Sequence, residues 1–320
     1  MHRPMEMAMW RGRLDDEPGT ERWHQKVTAL TPEAIDAGQP GFVLLGVCSD
    51  IGVKRNQGRA GAVNGPDAIR SALANQAWHL PAPCYDAGNL LSIGEDLEAL
   101  QKEQASWVTR LLDLGHFPLV LGGGHEIALG SYLGLKGHLE AREKQGVIGV
   151  INFDAHFDLR RADLSTSGTS FLQMAANSRQ GGLQYRYLCL GISEVANTRH
   201  LFETAGELGA RWLLDEQLVP WKLDGAERQL RDFILGCNFL QLSIDLDVLP
   251  AGVAPGVSAP SPRGVSLDVV EHLIGVVRSQ GGNKLKVADI AECNPEYDID
   301  GRTAKVAARL CHMLARKDTA

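Results

Sequence analysis

The sequence lacks the features that mark membrane, secreted and nucleic-acid-binding proteins. It contains no run of about 18 apolar residues that could cross a bilayer, and its formal net charge is -7. A global basic field that could hold nucleic acid or an anionic membrane is therefore absent. The N-terminal segment also lacks the apolar core of a signal peptide. We expect a cytoplasmic protein whose partner is a small molecule or another protein, with no role for nucleic acid or a membrane.

Cysteine pairs at metal-binding or redox spacing are also missing. The six cysteines are scattered along the chain without a CxxC motif. We interpret them as reduced structural thiols, in keeping with a cytoplasmic protein, and a zinc-thiolate site has no support.

No linker rich in proline, glycine or serine divides the chain, and no internal repeat is visible. The 320 residues, of which 44% are hydrophobic, suit one large domain or two modest ones, and we expect one. Residues 41–320 should form this domain, and the polar residues 1–40 should form an N-terminal arm packed on it.

Short apolar runs alternate with longer segments in which apolar residues recur every three or four positions. This alternation predicts an α/β fold of three layers, with helices on both faces of a mostly parallel sheet. Continuous apolar runs are typical of strands buried on both faces. The predicted strands span 42–47, 117–123, 147–153, 187–192, 211–215, 239–245 and 286–292. The predicted helices span 65–74, 95–115, 126–139, 266–279 and 303–317.

Acidic residues and histidines follow three of the predicted strands. They are His125, Asp154, His156, Asp158, Asp245 and Asp247. Ligands of open parallel sheets bind at the carboxyl ends of the strands, so polar groups there are functional candidates. Asp154, His156 and Asp158 also occupy alternate positions, and in an extended chain they would point to the same side.

Four carboxylates cannot all stay ionised in a low-dielectric crevice without compensating positive charge. Metal ions would supply that charge, and ligation by many oxygens, few nitrogens and no sulfur favours Mn²⁺ over Mg²⁺ or Fe²⁺. Six ligands suit two ions, which together can convert a bridging water to hydroxide near neutral pH. Alone, an Asp-x-Asp pair is a common turn and a single histidine is usually structural. The prediction of a binuclear hydrolytic site therefore rests on the joint set.

Four segments resemble, in order and spacing, the signatures of the ureohydrolase superfamily, which includes arginase and agmatinase. They are GGGHE (122–126), DAHFD (154–158), SIDLD (243–247) and DIAECNPEYD (289–298). The resemblance covers about residues 40 to 315. It implies an arginase-like three-layer fold and two Mn²⁺ ions per subunit, and residues 41–320 would be the catalytic domain.

The resemblance also implies a role for each site residue. One manganese would be held by His125, Asp154, Asp158 and Asp245, and the other by Asp154, His156, Asp245 and Asp247. Asp154 and Asp245 would then bridge the two ions. Glu292 would orient a cationic amidine or guanidine group, because a carboxylate accepts paired hydrogen bonds from a planar N–C–N cation.

The chain departs from the arginase pattern at several positions. Arginases and agmatinases usually read GGDHS where this chain has Gly124 and Glu126, and arginases have a candidate proton-shuttle histidine where this chain has Phe171. At these positions the chain resembles the formimidoylglutamase branch of the superfamily. The resemblance to this branch extends over nearly the whole chain. That resemblance implies hydrolysis of N-formimidoyl-L-glutamate to L-glutamate and formamide in histidine degradation. The superfamily also suggests a homotrimer or homohexamer.

The implied substrate has two carboxylates and one amidine. The planar guanidinium of arginine suits a carboxylate, and Arg160 is the preferred candidate because it follows the metal ligands directly. For Arg55, Arg59 and Arg263 a structural role is favoured. In the hypothesised reaction, hydroxide held by both metals attacks the formimidoyl carbon. Glu292 stabilises the intermediate, and Asp158 relays a proton to the departing amine.

Two other interpretations stay open. Another ureohydrolase activity (arginase, agmatinase or guanidino-acid hydrolase) would release urea instead of formamide. A non-catalytic metal-binding regulatory protein could keep the fold without the reaction, although the intact ligand set argues against this interpretation.

Overall fold

The computed structural model describes residues 1–31, 35, 39–178 and 182–316. Residues 32–34, 36–38, 179–181 and 317–320 lie outside this part. They include a portion of the predicted arm and the last residue of the predicted helix 303–317.

Strands and helices alternate along the described residues. The strands are β1 (His2–Arg3), β2 (Thr28–Ala29), β3 (Phe42–Cys48), β4 (Cys84–Leu91), β5 (Phe117–Gly122), β6 (Gly146–Phe153), β7 (Leu183–Ile192), β8 (Arg211–Leu214), β9 (Phe239–Asp245) and β10 (Leu285–Ala291). The helices are α1 (Trp23–Lys26), α2 (Ile51–Arg55), α3 (Gly65–Ala74), α4 (Leu97–Asp113), α5 (Ile127–Glu140), α6 (Ser170–Asn177), α7 (Arg199–Glu207), α8 (Leu223–Leu235), α9 (Leu267–Gly281) and α10 (Arg302–Ala315).

All these strands belong to one sheet with the order β1-β4-β3-β5-β10-β9-β6-β7-β8, and β2 pairs with β4. Among the described strands only β1 runs antiparallel to its neighbour. Alternate residues of each central strand enter different cores. Leu44 and Leu121 pack with α3, α8, α9 and α10 on one face, whereas Val43 and Val120 pack with α4, α5, α6 and α7 on the other. The predicted three-layer α/β fold is confirmed.

The seven predicted strands and five predicted helices are all present, but their ends shift by up to four residues, as at Leu183 in β7. Strand β4 escaped prediction because buried Asp86 and Asn89 interrupt its apolar pattern. Their partner is the buried Arg70, whose guanidinium donates to Asp86 at 2.8 and 2.9 Å and to Asn89 at 2.6 Å. The two-residue strands β1 and β2 and the helices α1, α2, α6, α7 and α8 were also missed.

The first 31 residues contribute to the same sheet and core. Strands β1 and β2 pair with β4, and Trp10 and Trp23 are buried in the core that contains α3 and α10. The indole of Trp10 donates to Asp86 at 2.9 Å. The division of the chain near residue 40 stays a prediction.

All six cysteines are buried and unpaired. In the described part of the chain, no helix is long and apolar enough to cross a membrane.

Candidate active site

The site lies where four adjacent central strands end. Strands β5, β10, β9 and β6 are consecutive neighbours in the sheet and run parallel. His125 follows β5, Glu292 follows β10, Asp245 ends β9 and Asp154 follows β6. Since Phe153 pairs with Ile244, the carboxylates at the ends of β6 and β9 are brought side by side. Parallel strands thus gather residues that are far apart in sequence at one edge of the sheet.

Two tight turns, rather than strand alternation, orient the ligands after β6 and β9. Strand β6 ends at Phe153, so the extended geometry predicted for residues 154–158 is wrong. The carboxylate of Asp154 accepts a hydrogen bond from the backbone N–H of His156 at 2.6 Å. Asp245 accepts the equivalent bond from Asp247 at 2.8 Å. Aspartate readily closes such a turn on a backbone N–H two residues on, and here the turns bring the side chains together.

His125 lies at the centre of one ligand group. Its Nδ1 is 3.0 Å from Asp154 Oδ2, 2.9 Å from Asp158 Oδ2 and 3.2 Å from Asp245 Oδ2. The histidine, Asp154 and Asp245 are almost fully buried. These four side chains are the set that the family resemblance assigns to the first metal.

His156 and Asp247 form a second group next to the first. His156 Nδ1 is 2.9 Å from Asp247 Oδ2 and 3.5 Å from Asp154 Oδ1. Asp154 therefore takes part in both groups, and ligand atoms of Asp154, His156 and Asp247 lie within 4.8 Å of one another. Asp245 belongs to the first group, and its role as a second bridge stays a prediction.

The other nitrogen of the His125 ring has a buried partner of its own. Nε2 is 2.9 Å from the hydroxyl of Ser243, and that hydroxyl donates to the carboxylate of Asp289. The ring therefore donates from Nε2, which leaves Nδ1 facing the carboxylate cluster as a candidate metal ligand. A proton fixed on the far nitrogen by such a chain is the usual arrangement of a metal-binding histidine.

The cluster carries more negative charge than a buried site tolerates without cations. Burial and the charge of Asp154 raise the pKa of Asp158 to about 6, and burial with Asp247 and Asp154 raises that of Asp245 well above its ordinary value. Burial opposes the charged form of His125, but the carboxylates of Asp154, Asp158 and Asp245 outweigh it and raise the pKa of the ring. The site thus demands positive charge, and its oxygen-rich donor set fits divalent metal ions.

Glu292 stands directly beside the candidate metal ligands. Its Oε1 accepts a hydrogen bond from the backbone N–H of His125 at 3.1 Å, and its buried Oε2 has no hydrogen-bond partner among the described residues. Burial, together with the carboxylates of Glu126 and Asp247, raises its pKa to about 8. Glu292 and Asp158 have φ of 69° and 49°, a left-handed conformation that is uncommon for residues other than glycine.

A polar cavity of about 260 Å³ opens over the cluster. Its walls include all of the predicted site residues except the buried Asp154. Sequence reasoning missed the polar side chains that complete the wall, namely Asn56, Gln57, Ser167, Asn197 and Ser258. They lie in loops, where amides and hydroxyls follow no pattern that separates ligand contacts from turn residues. The only signal was that these loops adjoin the motifs.

The predicted arginines lie in different environments. Arg160 is exposed and lines the cavity. Arg55 donates to Glu98 and to two backbone carbonyls, and Arg59 donates to the carbonyls of Val257 and Ser258. Arg263 lies 3.9 Å from Asp215. Among the described arginines, Arg160 is the one that faces the cavity.

Phe171 is fully buried and lies outside the cavity wall. Its ring packs edge-on against His125, with centroids 5.2 Å apart, and stacks on Tyr187 at 4.6 Å. A side chain at this position therefore supports the His125 ring from behind.

Known proteins resemble this chain in both sequence and fold. Residues 40–315 match the sequence profile of the Arginase family. The chain is 50% identical over 316 residues to formimidoylglutamase from Aeromonas hydrophila subsp. hydrophila, with 98% of each protein covered. The crystal structure of formimidoylglutamase from Bacillus subtilis has a TM-score of 0.80 at 22% identity, covering 94% of this chain and 93% of the other. Trypanosoma cruzi formiminoglutamase with Mn²⁺ has a TM-score of 0.74 at 24% identity, covering 86% and 93%.

The two structural neighbours, at 22% and 24% identity, support the fold alone. The family profile and the sequence relative extend over most of the chain and confirm the resemblance inferred from the four motifs. With this similarity, and with its acidic and histidine side chains gathered at the ends of four parallel strands, the chain belongs to the arginase family.

Proposed function

We propose that the protein hydrolyses N-formimidoyl-L-glutamate to L-glutamate and formamide. The observation that carries this proposal is the 50% identity to a formimidoylglutamase over nearly the full length of both chains. The cavity supports it, since a small space that holds an arginine and a free carboxylate oxygen suits a substrate with acidic groups and one amidine.

The carboxylate and imidazole cluster would hold two divalent cations, for which we propose Mn²⁺. His125, Asp154, Asp158 and Asp245 would ligate one ion, and Asp154, His156, Asp245 and Asp247 the other. Hard oxygen donors with two imidazoles and no sulfur suit this metal, and a structural neighbour was crystallised with Mn²⁺. When bound, such a pair acidifies a water and polarises the substrate.

Glu292 would orient the reacting group. Its Oε1 is held by the backbone of His125, and its Oε2 is free to accept a hydrogen bond from an amidine nitrogen. A cationic amidine beside it would favour the ionised carboxylate, because an opposite charge lowers the pKa of an acid. Glu292 thereby would align the formimidoyl carbon over the cluster.

Arg160 would bind a carboxylate of the glutamate portion. Its backbone N–H donates to the carbonyl of Gly168 at 2.8 Å, which fixes the start of the side chain. Arg160 lines the cavity together with Asn56 and Ser167, and the Asn56 amide donates to the Ser167 hydroxyl at 3.1 Å. The resulting wall offers cationic and neutral donors at the end of the cavity that would face the glutamate.

Asp158 would move the proton. A carboxylate oxygen would accept a proton from the attacking water and deliver it to the amine nitrogen that leaves with glutamate. Water adds its oxygen to the formimidoyl carbon and the C–N bond to glutamate breaks. With a cationic amidine, both hydrogens of that water end on the leaving nitrogen, which becomes the ammonium group of glutamate, and the other amidine nitrogen stays in formamide. Phe171 cannot carry a proton, so this transfer would depend on Asp158 and water.

We also propose that the enzyme is cytoplasmic and assembles as a trimer or hexamer. The support is the family resemblance, and light scattering coupled to gel filtration would measure the assembly.

A substrate panel on Mn²⁺-reconstituted protein tests the proposed reaction. Formimidoylglutamate, arginine, agmatine and guanidinobutyrate would be assayed for formamide, urea and the released amine. We expect formamide and glutamate from formimidoylglutamate and little urea from the others. Urea from a guanidino compound without formamide would assign another ureohydrolase activity. No turnover of any compound by protein that binds the metals would favour a regulatory role.

A further inference from the structure

Glu126 is a fully buried carboxylate next to the metal cluster that the proposed reaction does not use. It follows His125 directly and precedes the first residue of α5. It is also one of the positions at which the chain departs from GGDHS. A buried carboxylate is costly unless its hydrogen bonds offset the loss of water, so its contacts indicate what it does.

The side chain of Glu126 holds the beginning of helix α2. Its Oε1 accepts hydrogen bonds from the backbone N–H of Gly52 at 3.0 Å and from the hydroxyl of Ser49 at 3.2 Å. The same hydroxyl accepts a bond from the N–H of Ile51 at 3.2 Å. The first turn of α2 is therefore anchored to the residue that follows His125.

Helix α2 leads directly into the cavity wall. It ends at Arg55, and the next residues, Asn56, Gln57 and Gly58, line the cavity. The amide of Asn56 then bonds Ser167 on the wall beside Arg160. Glu126 thus links the metal side of the site to the wall that would meet the substrate.

Two glycines make room for this carboxylate. A Cβ on Gly124 would lie 2.1 Å from Glu126 Oε2, and a Cβ on Gly52 would lie 2.5 Å from the same carboxyl group. The φ of Gly124 is not positive, so an L-residue fits its backbone. The Cβ at position 124 would also lie 2.4 Å from Val53 Cγ2, so a carboxyl group at position 124 can occupy the space beside α2 only when Glu126 is shortened and the Val53 side chain rotates away.

We propose that Glu126 is a positioning residue that sets the α2 wall of the cavity against the metal centre. The same space can be filled by a carboxylate from position 124. The expected change in KM for formimidoylglutamate rests on the proposed function, whereas the expected change in hydrogen exchange does not.

Glu126→Ser removes the link without touching a metal ligand. We expect KM for formimidoylglutamate to rise about ten-fold while kcat changes less than about three-fold, because substrate binding is lost and the chemistry is retained. Bound manganese per chain should be unchanged. Glu126→Gln keeps the acceptor for Gly52 and should restore most of the KM. Glu140→Ser, at the exposed end of α5, is the matched control and should behave as the wild type.

A positional swap tests whether the carboxyl group itself matters. Gly124→Asp alone places two carboxyl groups in one space and should lower the stability of the folded protein. Gly124→Asp combined with Glu126→Ser should recover KM to within about three-fold of wild type, a coupling that a double-mutant cycle measures. A double variant as impaired as the sum of its single changes would overturn the proposal.

Hydrogen exchange without substrate separates this inference from the proposed reaction. Peptides that cover residues 50–58 should exchange about ten-fold faster in Glu126→Ser and return to the wild-type rate in the swap variant. Unchanged exchange in Glu126→Ser would refute the positioning role whatever the substrate is. A swap variant that exchanges at the wild-type rate, together with a wild-type protein that fails to hydrolyse formimidoylglutamate, is a separate outcome. That result would support the positioning role of Glu126 and refute the proposed substrate.

Discussion

At the scale of single residues, two side chains of the site each use one polar atom for a fixed hydrogen bond and present the other to the carboxylate cluster or the cavity. The two nitrogens of His125 face different partners, Ser243 on one side and the carboxylate cluster on the other. The two oxygens of Glu292 are likewise divided between a backbone N–H and the cavity. Fixing one atom of a side chain leaves the other in a defined position, which is what oriented catalysis requires.

Asp158→Asn tests the proton relay. The amide keeps the size of the side chain but cannot accept and release the proton, so kcat should fall roughly 10²–10⁴-fold. Substrate binding should survive, as measured by calorimetry on the metal-loaded variant. Bound metal is counted in parallel, because loss of an ion would explain the same defect. Turnover equal to that of the wild type would exclude the relay.

Arg160→Ala tests recognition of the substrate carboxylate. A charge-assisted hydrogen bond contributes about 1.5–3 kcal/mol, so KM for formimidoylglutamate should rise about ten-fold or more. The adjacent Arg161→Ala is the matched control, since Arg161 is exposed and does not line the cavity. A formimidoyl amine without carboxylates should be hydrolysed equally well by both variants and the wild type. Equal KM values for the two variants on formimidoylglutamate would remove Arg160 from the site.

At the scale of elements, the site depends on close approach between backbone segments as well as on strand order. Gly123, just after β5, donates its N–H to Val47 and accepts the N–H of Glu292 at 2.8 Å. A Cβ on Gly123 would lie 1.6 Å from the carbonyl oxygen of Ser49. Glycine is required here because the main chain of Ser49 fills the space that a side chain at position 123 would need.

Gly123→Ala should therefore damage both stability and the site. The clash involves backbone that cannot rotate away, so the free energy of unfolding should fall by about 1–3 kcal/mol, with loss of bound metal. Gly275→Ala, within α9 and with nothing near its added Cβ, should instead stabilise by roughly 0.5–1 kcal/mol. Denaturant titration measures both. A Gly123→Ala variant as stable as the wild type would contradict the close-packing argument.

The contrast between local sequence signals and long-range contacts explains which features could be predicted from the sequence. Apolar runs such as β3 and charged motifs such as residues 154–158 carry local signals, so the central strands were predictable and the candidate ligands could be named. Strand β4 depends on a distant Arg70 to neutralise Asp86, which no local pattern reveals. The turns after β6 and the cavity wall around Asn56 arise from long-range packing, and they required the structure.

At the scale of the whole molecule, two apolar cores enclose a sheet whose charge is concentrated at one edge. The flanking helices keep the ends of β5, β10, β9 and β6 in register, and the buried carboxylates meet there. The carboxylates therefore repel one another at positions that the packed strands and helices hold fixed. Cations relieve this repulsion, so metal binding and stability must be linked.

Chelation should lower the melting temperature reversibly. A ligand present at 100 times its Kd contributes about 2.7 kcal/mol, which predicts a fall of about 5 °C or more for a protein of this size. Scanning calorimetry before and after EDTA, and again with added Mn²⁺, measures it. An unchanged melting temperature in metal-depleted protein would argue against a bound pair.

The pH dependence of the metal-free protein has a defined sign. The folded state raises the pKa of Asp158 to about 6 and that of His125 above its ordinary value. Groups with raised pKa contribute stability below their unfolded pKa and lose it as the pH rises through the folded value. Metal-free protein should therefore lose stability between about pH 4 and pH 6 through Asp158 and, through His125, as the pH rises above about 6.5, and added metal should reduce this loss.

The left-handed backbone at Asp158 and Glu292 has a consequence for how the protein can change. Glycine would be the easiest residue to accommodate at both positions, yet it would delete the carboxylates to which the proposed reaction assigns roles. Any drift or selection toward a more robust fold thus meets a barrier at these two sites. Further gains in stability have to arise elsewhere, in the helices and the outer strands, so the candidate site is the part of the molecule whose backbone strain selection can least relieve.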